Sequence, residues 1–132
     1  MLALTAGACA EEPRPRRQDS PNPSTRGVIE IPAKDQTVRP LTVVSGWAVD
    51  ESGVERVRIY GDDGLLATVR VTGPRPDVEK ALPEYSRPGA WHGWTAEVDF
   101  GARLGHCLIR AEALDGRGAL THFASVPVRI VP

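Results

Sequence analysis

Features that mark many protein classes are scarce in this sequence. Only two of its 132 residues are cysteines, and Cys9 and Cys107 lie in such different contexts that no disulfide is expected between them. No apolar run approaches the roughly 18 residues of a transmembrane helix, which excludes a helix of that kind. Basic residues form no cluster beyond Arg14, Arg16 and Arg17, and the formal net charge is −1, so nucleic-acid binding is not expected.

Patterns that would indicate catalysis or metal binding are also missing. His92, His106 and His122 are dispersed, and none has a metal-ligand spacing to a cysteine or to another histidine. No nucleophile elbow or comparable motif is present. The acidic residues of the predicted turns match no calcium loop, so we interpret them as turn formers. They are Asp50, Glu51, Asp62, Asp63 and Asp115. The sequence therefore predicts neither an enzyme nor a bound cofactor or metal.

The N-terminal segment has the character of an export signal. Residues 1–8 are small and apolar, Cys9 follows at once, and the chain then turns polar. This order resembles the cleavage region of a bacterial lipoprotein signal, in which Cys9 becomes the lipidated first residue. The segment departs from such signals in lacking a basic start, in its short apolar run and in having Ala6 where leucine is preferred. We expect an exported protein anchored to a membrane through Cys9, in the periplasm or on the cell surface. The alternative is a cytosolic N-terminus with a chance cysteine.

Residues 10–26 predict a disordered linker. Pro13, Pro15, Pro21 and Pro23 alternate there with charged and small polar residues. Such a segment forms no helix, buries little surface and stays extended. The folded domain is therefore predicted over residues 27–132, held away from the membrane by this spacer.

From Gly27 onward the apolar residues recur with a period of two, which predicts half-buried strands. Turns rich in aspartate and glycine separate the strands at residues 50–53, 61–64 and 115–118. The pattern predicts an all-β fold, an antiparallel immunoglobulin-like or fibronectin-III-like sandwich of about seven strands with one long loop. We assign Trp94 and Ile109 to the core and expect Cys107 to be a buried, inert thiol. The core face predicted for the first long strand consists of Leu41, Val43, Ser45, Trp47 and Val49.

The long loop from Gly73 to Gly93 contains four prolines and no alternation. Arg75 and Asp77 flank a proline, so they leave the chain at a fixed angle. We expect Arg75 to be largely buried and hydrogen-bonded within the domain, as a structural pair with Asp77 that pins the loop. The alternative is a ligand clamp, in which Arg75 and Asp77 together hold a bound ligand. We expect Asp77 to cap a short helix that begins at Val78.

Several of these segments together resemble an immunoglobulin-like accessory domain of bacterial secreted and envelope proteins. The resemblance covers roughly residues 28 to 131 and depends on the order and spacing of its parts. They are Gly46-Trp47-Ala48-Val49-Asp50, Gly53-Val54, Asp63-Gly64, Arg75-Pro76-Asp77-Val78, Pro83, Gly93-Trp94 and Ala113-Leu114-Asp115-Gly116-Arg117-Gly118. Trp94 replaces the commoner phenylalanine, and Trp91 is an additional aromatic residue. The resemblance implies a β-sandwich accessory module and no catalytic residue set.

The outer half of the long loop is the predicted binding surface. Tyr85, Trp91 and His92 lie close in sequence, and exposed aromatic rings stack well on sugars. The alternative is that Trp91 merely caps the loop and has no role in binding. The function predicted from the sequence is a non-catalytic envelope lipoprotein whose domain binds an envelope protein. The alternative is a module that binds carbohydrate or peptidoglycan of the cell wall through the loop aromatics.

Overall fold

The computed structural model describes residues 24–85 and 91–132. The predictions for Cys9 and for the linker up to residue 23 therefore lie outside the described residues, as does the loop tip at 86–90. Within the described residues the chain forms eight strands, one short α-helix and one 3-10 turn. The strands are β1 (Arg26–Ile31), β2 (Gln36–Val38), β3 (Leu41–Val49), β4 (Val54–Gly61), β5 (Gly64–Arg70), β6 (Gly93–Asp99), β7 (Gly105–Asp115) and β8 (Leu120–Ile130). Helix α1 spans Pro76–Ala81, and the 3-10 turn spans Pro83–Tyr85.

The strands form two sheets that pack face to face. One has three strands in the order β1-β3-β6, and the other has five in the order β2-β8-β7-β4-β5. Neighbouring strands are antiparallel, except that β2 runs parallel to β8. The predicted all-β sandwich is thus confirmed. Arg26, which the sequence analysis assigned to the linker, lies in β1.

The main core lies between the two sheets. It takes alternate residues from β3, β4, β6, β7 and β8, as a period of two requires. Trp94 is 3% exposed and Ile109 is fully buried, so both assignments to the core are confirmed. Cys107 is a buried free thiol, as expected.

The face predicted for β3 is wrong. The residues of β3 that point into the main core are Val44 and Ala48, with Gly46 between them, whereas Leu41 and Val43 are exposed. Both parities of β3 are apolar, so alternation alone does not distinguish them. Gly46 decides the matter, because a Cβ at this position would overlap the Val28 carbonyl oxygen and lie 3.0 Å from the Trp94 ring.

A second, smaller cluster covers part of the outer side of the three-stranded sheet. Val78 from α1 and Tyr85 from the 3-10 turn are buried there against Val49, and we call these three residues the outer cluster. Trp47 packs against this cluster and is only partly buried. Its assignment to the core between the sheets is therefore wrong. Trp47 points outward, where the long loop folds back over it. No helix in the described part of the chain has the length and apolar character needed to cross a membrane.

Candidate functional site

The first half of the long loop is held to the three-stranded sheet by Arg75. Its guanidinium donates two hydrogen bonds to the Asp77 carboxylate at 2.9 and 2.6 Å, and two to the Glu30 carboxylate at 2.7 and 3.1 Å. Glu30 lies at the point where the pairing of β1 with β3 shifts register. The side chain of Arg75 is 23% exposed. It is partly buried, less than predicted, and hydrogen-bonded within the domain as predicted.

Electrostatic interactions in this group favour the charged forms of Arg75 and Asp77. Hydrogen bonds to Asp77 and then to Glu30 raise the pKa of Arg75 above its ordinary value, against the opposing effect of desolvation. The same guanidinium lowers the pKa of Asp77. Since two carboxylates already occupy both sides of the guanidinium fork, this geometry favours the structural pair over the ligand clamp.

The prediction that Asp77 caps a helix starting at Val78 is wrong. Helix α1 begins at Pro76, its N-cap residue is Arg75, and no side chain caps it. Proline suits the first turn because its missing N–H needs no partner there. Asp77 lies in that first turn and directs its carboxylate to Arg75 instead.

The described residues in the second half of the loop are less open than predicted. Tyr85 is 7% and His92 is 4% exposed, whereas Trp91 is 49% exposed. Tyr85 belongs to the outer cluster. The backbone of His92 is bonded on both sides, since its N–H donates to Gly73 and its carbonyl accepts from Ala48. The predicted accessibility is therefore wrong for Tyr85 and His92 and correct for Trp91, so Tyr85 and Trp91 form no shared aromatic platform.

Two ring nitrogens in this region are buried. His92 Nε2 and Trp94 Nε1 have no hydrogen-bond partner among the residues that the structure describes. The Trp94 ring packs edge-to-face on Phe123, with ring centroids 6.2 Å apart. The ring therefore sits in an apolar contact on the core side of β6.

Trp91 lines a depression that sequence reasoning missed. Its volume is about 410 Å³, and its other walls include Glu55, Arg56, Arg70 and Thr72. Arg56 on β4 and Arg70 on β5 lie directly opposite each other. Strand alternation predicts that both side chains point outward. Their opposition depends on the register of β4 with β5, and Trp91 reaches them only because the end of the long loop lies beside these strands.

The uncovered part of the three-stranded sheet carries an apolar stripe. Its members are Ile31, Leu41 and Val43, which are 54%, 60% and 46% exposed. Ile31 pairs with Ser45, which lies on the same parity of β3 as Leu41 and Val43, so the three side chains share the outer face. We call this set the apolar stripe.

Acidic side chains border the apolar stripe on the neighbouring strand β6. Asp99 lies opposite Leu41, and Glu97 lies opposite Val43. Both acidic residues are exposed. The surface is therefore apolar in the middle and negative along one side.

Asp50 follows β3 and joins the start of the domain to a turn. Its carboxylate accepts hydrogen bonds from the hydroxyls of Ser24 and Thr25, and from both the hydroxyl and the backbone N–H of Ser52. Burial opposes its ionisation, yet the hydrogen bonds from Ser24, Ser52 and Thr25 bring the pKa of Asp50 below its ordinary value. Asp50 is thus a structural carboxylate.

Three of the other turn carboxylates also bind protein groups. Asp115 accepts from the backbone N–H groups of Arg117 and Ala119, and Asp62 and Asp63 pair with Arg103. Over the described residues, no group of three or more histidine, cysteine, aspartate or glutamate side chains is arranged to hold a metal ion.

Comparison with known proteins gives structural likenesses of low identity. No family model matches the sequence, and no curated protein matches it. The fibronectin(III)-like modules of Clostridium thermocellum CbhA are 18% identical over 79% of this chain and 93% of theirs, with a TM-score of 0.49. CopC from Methylosinus trichosporium OB3b is 12% identical over 81% of this chain and 95% of its own, with a TM-score of 0.44.

A chitin-binding domain from Burkholderia pseudomallei is a further structural likeness. It is 11% identical over 74% of this chain, which spans 57% of that protein, with a TM-score of 0.45. At these values the likenesses say nothing about the ligand or partner of this chain.

Proposed function

We propose that this chain is a non-catalytic, lipid-anchored binding module of the bacterial cell envelope whose sandwich binds another protein. The observation that carries the proposal is the apolar stripe of Ile31, Leu41 and Val43. Exposed apolar side chains are normal singly, whereas a group of neighbouring ones on one face of a sheet is typical of a protein interface. The order of the Gly-Trp-Ala-x-Asp and Arg-Pro-Asp-Val motifs supports membership of the immunoglobulin-like accessory domains.

The chemistry of the stripe indicates the kind of partner. Glu97 and Asp99 place negative charge beside the apolar centre, so a complementary surface carries apolar side chains next to lysine or arginine. Complementary charge raises the association rate and fixes the orientation of the two proteins. A polar sugar would leave the apolar centre unused, which favours a protein over a glycan at this face.

Cross-linking tests the proposal. A photoreactive amino acid replaces Val43 in the full chain, expressed in its native host, and the envelope is irradiated. We expect one dominant adduct, which disappears when Leu41→Lys is introduced, because the new positive charge repels the basic residues expected on the partner, and which is retained with Leu41→Ile. The control places the same photoreactive group at Leu65, which is 53% exposed on the other sheet. Equal adducts from positions 43 and 65, or an adduct at 43 that persists with Leu41→Lys, would contradict the proposal. A homodimeric adduct would identify a second copy of the chain as the occupant.

Mass spectrometry tests the anchor separately. We expect the mature protein from the native host to begin at Cys9 and to carry lipid mass on that residue. Cys9→Ser should move the protein from the membrane fraction to the soluble fraction, whereas Cys107→Ser should leave it on the membrane. A free Cys9 thiol behind an intact N-terminal methionine would refute the anchor and leave the apolar stripe to be judged on its own.

The alternative carbohydrate platform of Tyr85, Trp91 and His92 loses its support, because two of the three side chains are buried. Trp91 alone remains accessible, in a different chemical setting from the one expected.

A further inference from the structure

The depression beside Trp91 combines two features that do not serve the fold. Arg56 and Arg70 face each other across β4 and β5, where directly opposed residues have Cβ atoms about 5 Å apart and like charges destabilise the sheet. Within residues 24–85 and 91–132, neither guanidinium has a carboxylate partner. The contrast with Arg75, which has two carboxylates, indicates that the pair is available to an anion.

The second feature is the indole of Trp91. Nearly half of this large apolar ring is exposed, and it lines the same depression as the two arginines. The flat face of an indole packs against the C–H face of a sugar ring as well as against another aromatic ring. A guanidinium pair beside such a face binds a carboxylate in two-pronged geometry.

The remaining walls set the size and polarity of the site. Thr72 contributes a hydroxyl, which donates to and accepts from sugar hydroxyls. Glu55 lies at a register shift of β4 that brings it beside Arg56, and it accepts hydrogen bonds while leaving the site net positive. The volume of about 410 Å³ falls within the range of about 300–1,000 Å³ for small-molecule sites.

We infer that this depression binds a saccharide that carries a carboxylate, with the acid group on Arg56 and Arg70 and the sugar ring on Trp91. The site lies at the edge of the five-stranded sheet, away from the apolar stripe, so it is independent of the protein-binding face. A nucleic acid has the same two chemistries, a stacking ring and an anion. It is disfavoured because Glu55 lines the depression and the whole chain has a net charge of −1, whereas nucleic-acid sites concentrate positive charge.

The probe that tests the inference is a short oligomer of galacturonic acid, titrated into the full chain and followed by NMR. Its methyl ester has the same rings without the charge and is the matched control. We expect saturable shifts at the Trp91 indole and at the Arg56 and Arg70 side chains with the acid, and binding at least roughly tenfold weaker with the ester. Affinity for the acid should fall as salt is added.

Variants assign the contacts. Trp91→Ala and Arg70→Gln should each weaken binding of the acid roughly tenfold, while Trp91→Phe retains most of it. Arg129→Gln, an exposed arginine on β8 of the same sheet, is the control and should change nothing. Equal binding of the ester, tighter binding of a single-stranded oligonucleotide, or no saturable shift at Trp91 would overturn the inference. Because the apolar stripe is tested by cross-linking at Val43, either proposal can fail without the other.

Discussion

The main core and the outer cluster use the same kinds of side chain but are closed in different ways. The main core holds 16 buried residues, most of them contributed by strands of both sheets, so each of these strands packs against side chains from several others. The outer cluster buries only Val49, Val78 and Tyr85, and its cover is a single loop segment. Regions with few buried contacts open locally, at a free energy below that of global unfolding. The sandwich therefore sets the stability of the domain, while the loop determines which part of the three-stranded sheet is covered.

The largest expected effect separates the two tryptophans. Trp94→Ala removes a ring that is 3% exposed in the main core and should destabilise the domain by about 3–5 kcal/mol. Trp47→Ala removes a partly buried ring from the outer cluster and should cost about 2 kcal/mol. Urea denaturation of the two variants measures both values. Equal losses would show that the outer cluster is as integral to the fold as the main core.

A smaller effect is expected from Arg75. Arg75→Ala leaves Glu30 and Asp77 without their shared partner. It should lower the free energy of unfolding by only about 1 kcal/mol, because the ion-paired Arg75 side chain is partly exposed. Hydrogen exchange should accelerate at the amides of α1, such as Glu79, and stay unchanged in β7. Arg103→Ala is the control, since it also removes an arginine held by two carboxylates but lies away from the loop. Uniform acceleration throughout the domain would contradict a local role.

Acid should weaken the contact by which Asp50 holds the start of the domain to the turn after β3. The pKa of Asp50 is lower in the folded chain than the ordinary value of about 3.9. Its contribution is therefore fully present above about pH 4 and is lost as the pH falls through the lowered pKa. Asp50→Asn should flatten this acid-dependent part of the unfolding free energy, and Asp63→Asn, whose side chain is 80% exposed, should not. An unchanged acid profile in Asp50→Asn would exclude this carboxylate as its source.

The smallest effect is expected on the apolar stripe. Leu41→Lys and Val43→Lys alter exposed side chains and place each new ammonium opposite an acidic residue of β6, so they should change the free energy of unfolding by no more than about 0.5 kcal/mol. Thermal unfolding measures this, and it also establishes that the variants used to test partner binding are folded. A loss comparable with that of Trp47→Ala would mean that the stripe is packed rather than free.

The sequence allowed the sandwich, its turns and most of its core to be predicted because alternation and Asp-Gly turns are local signals. It failed at β3, where Val43 and Val44 are equally apolar and only the close approach of Val28 to Gly46 distinguishes the two faces. The prediction of exposure also failed at Tyr85 and His92, because their burial depends on where the loop packs against the sheet and not on their neighbours in sequence.

The candidate sites were predictable to a lesser degree. The pairing of Arg75 with Asp77 followed from their spacing around Pro76, but Glu30, which lies 45 positions earlier, has no local signal that links it to them. Arg56 and Arg70 were visible as outward residues of two strands. Their opposition depends on the register of β4 with β5, which includes a shift near Ile59 that sequence patterns do not reveal.

The change of sheet between β1 and β2 has a mechanical consequence for the domain. Strand β2 runs parallel to β8 over Gln36–Val38, and beyond the strands the Val131 N–H donates to the Val38 carbonyl at 2.9 Å. Tension between the start of β2 and the end of β8 pulls these parallel strands past each other. The hydrogen bonds between β2 and β8 then bear this tension together, so they share the force instead of breaking one after another. A pull from the N-terminal side loads β1 first, and once β1 has left the three-stranded sheet the force reaches β2 and meets its pairing with β8 in shear.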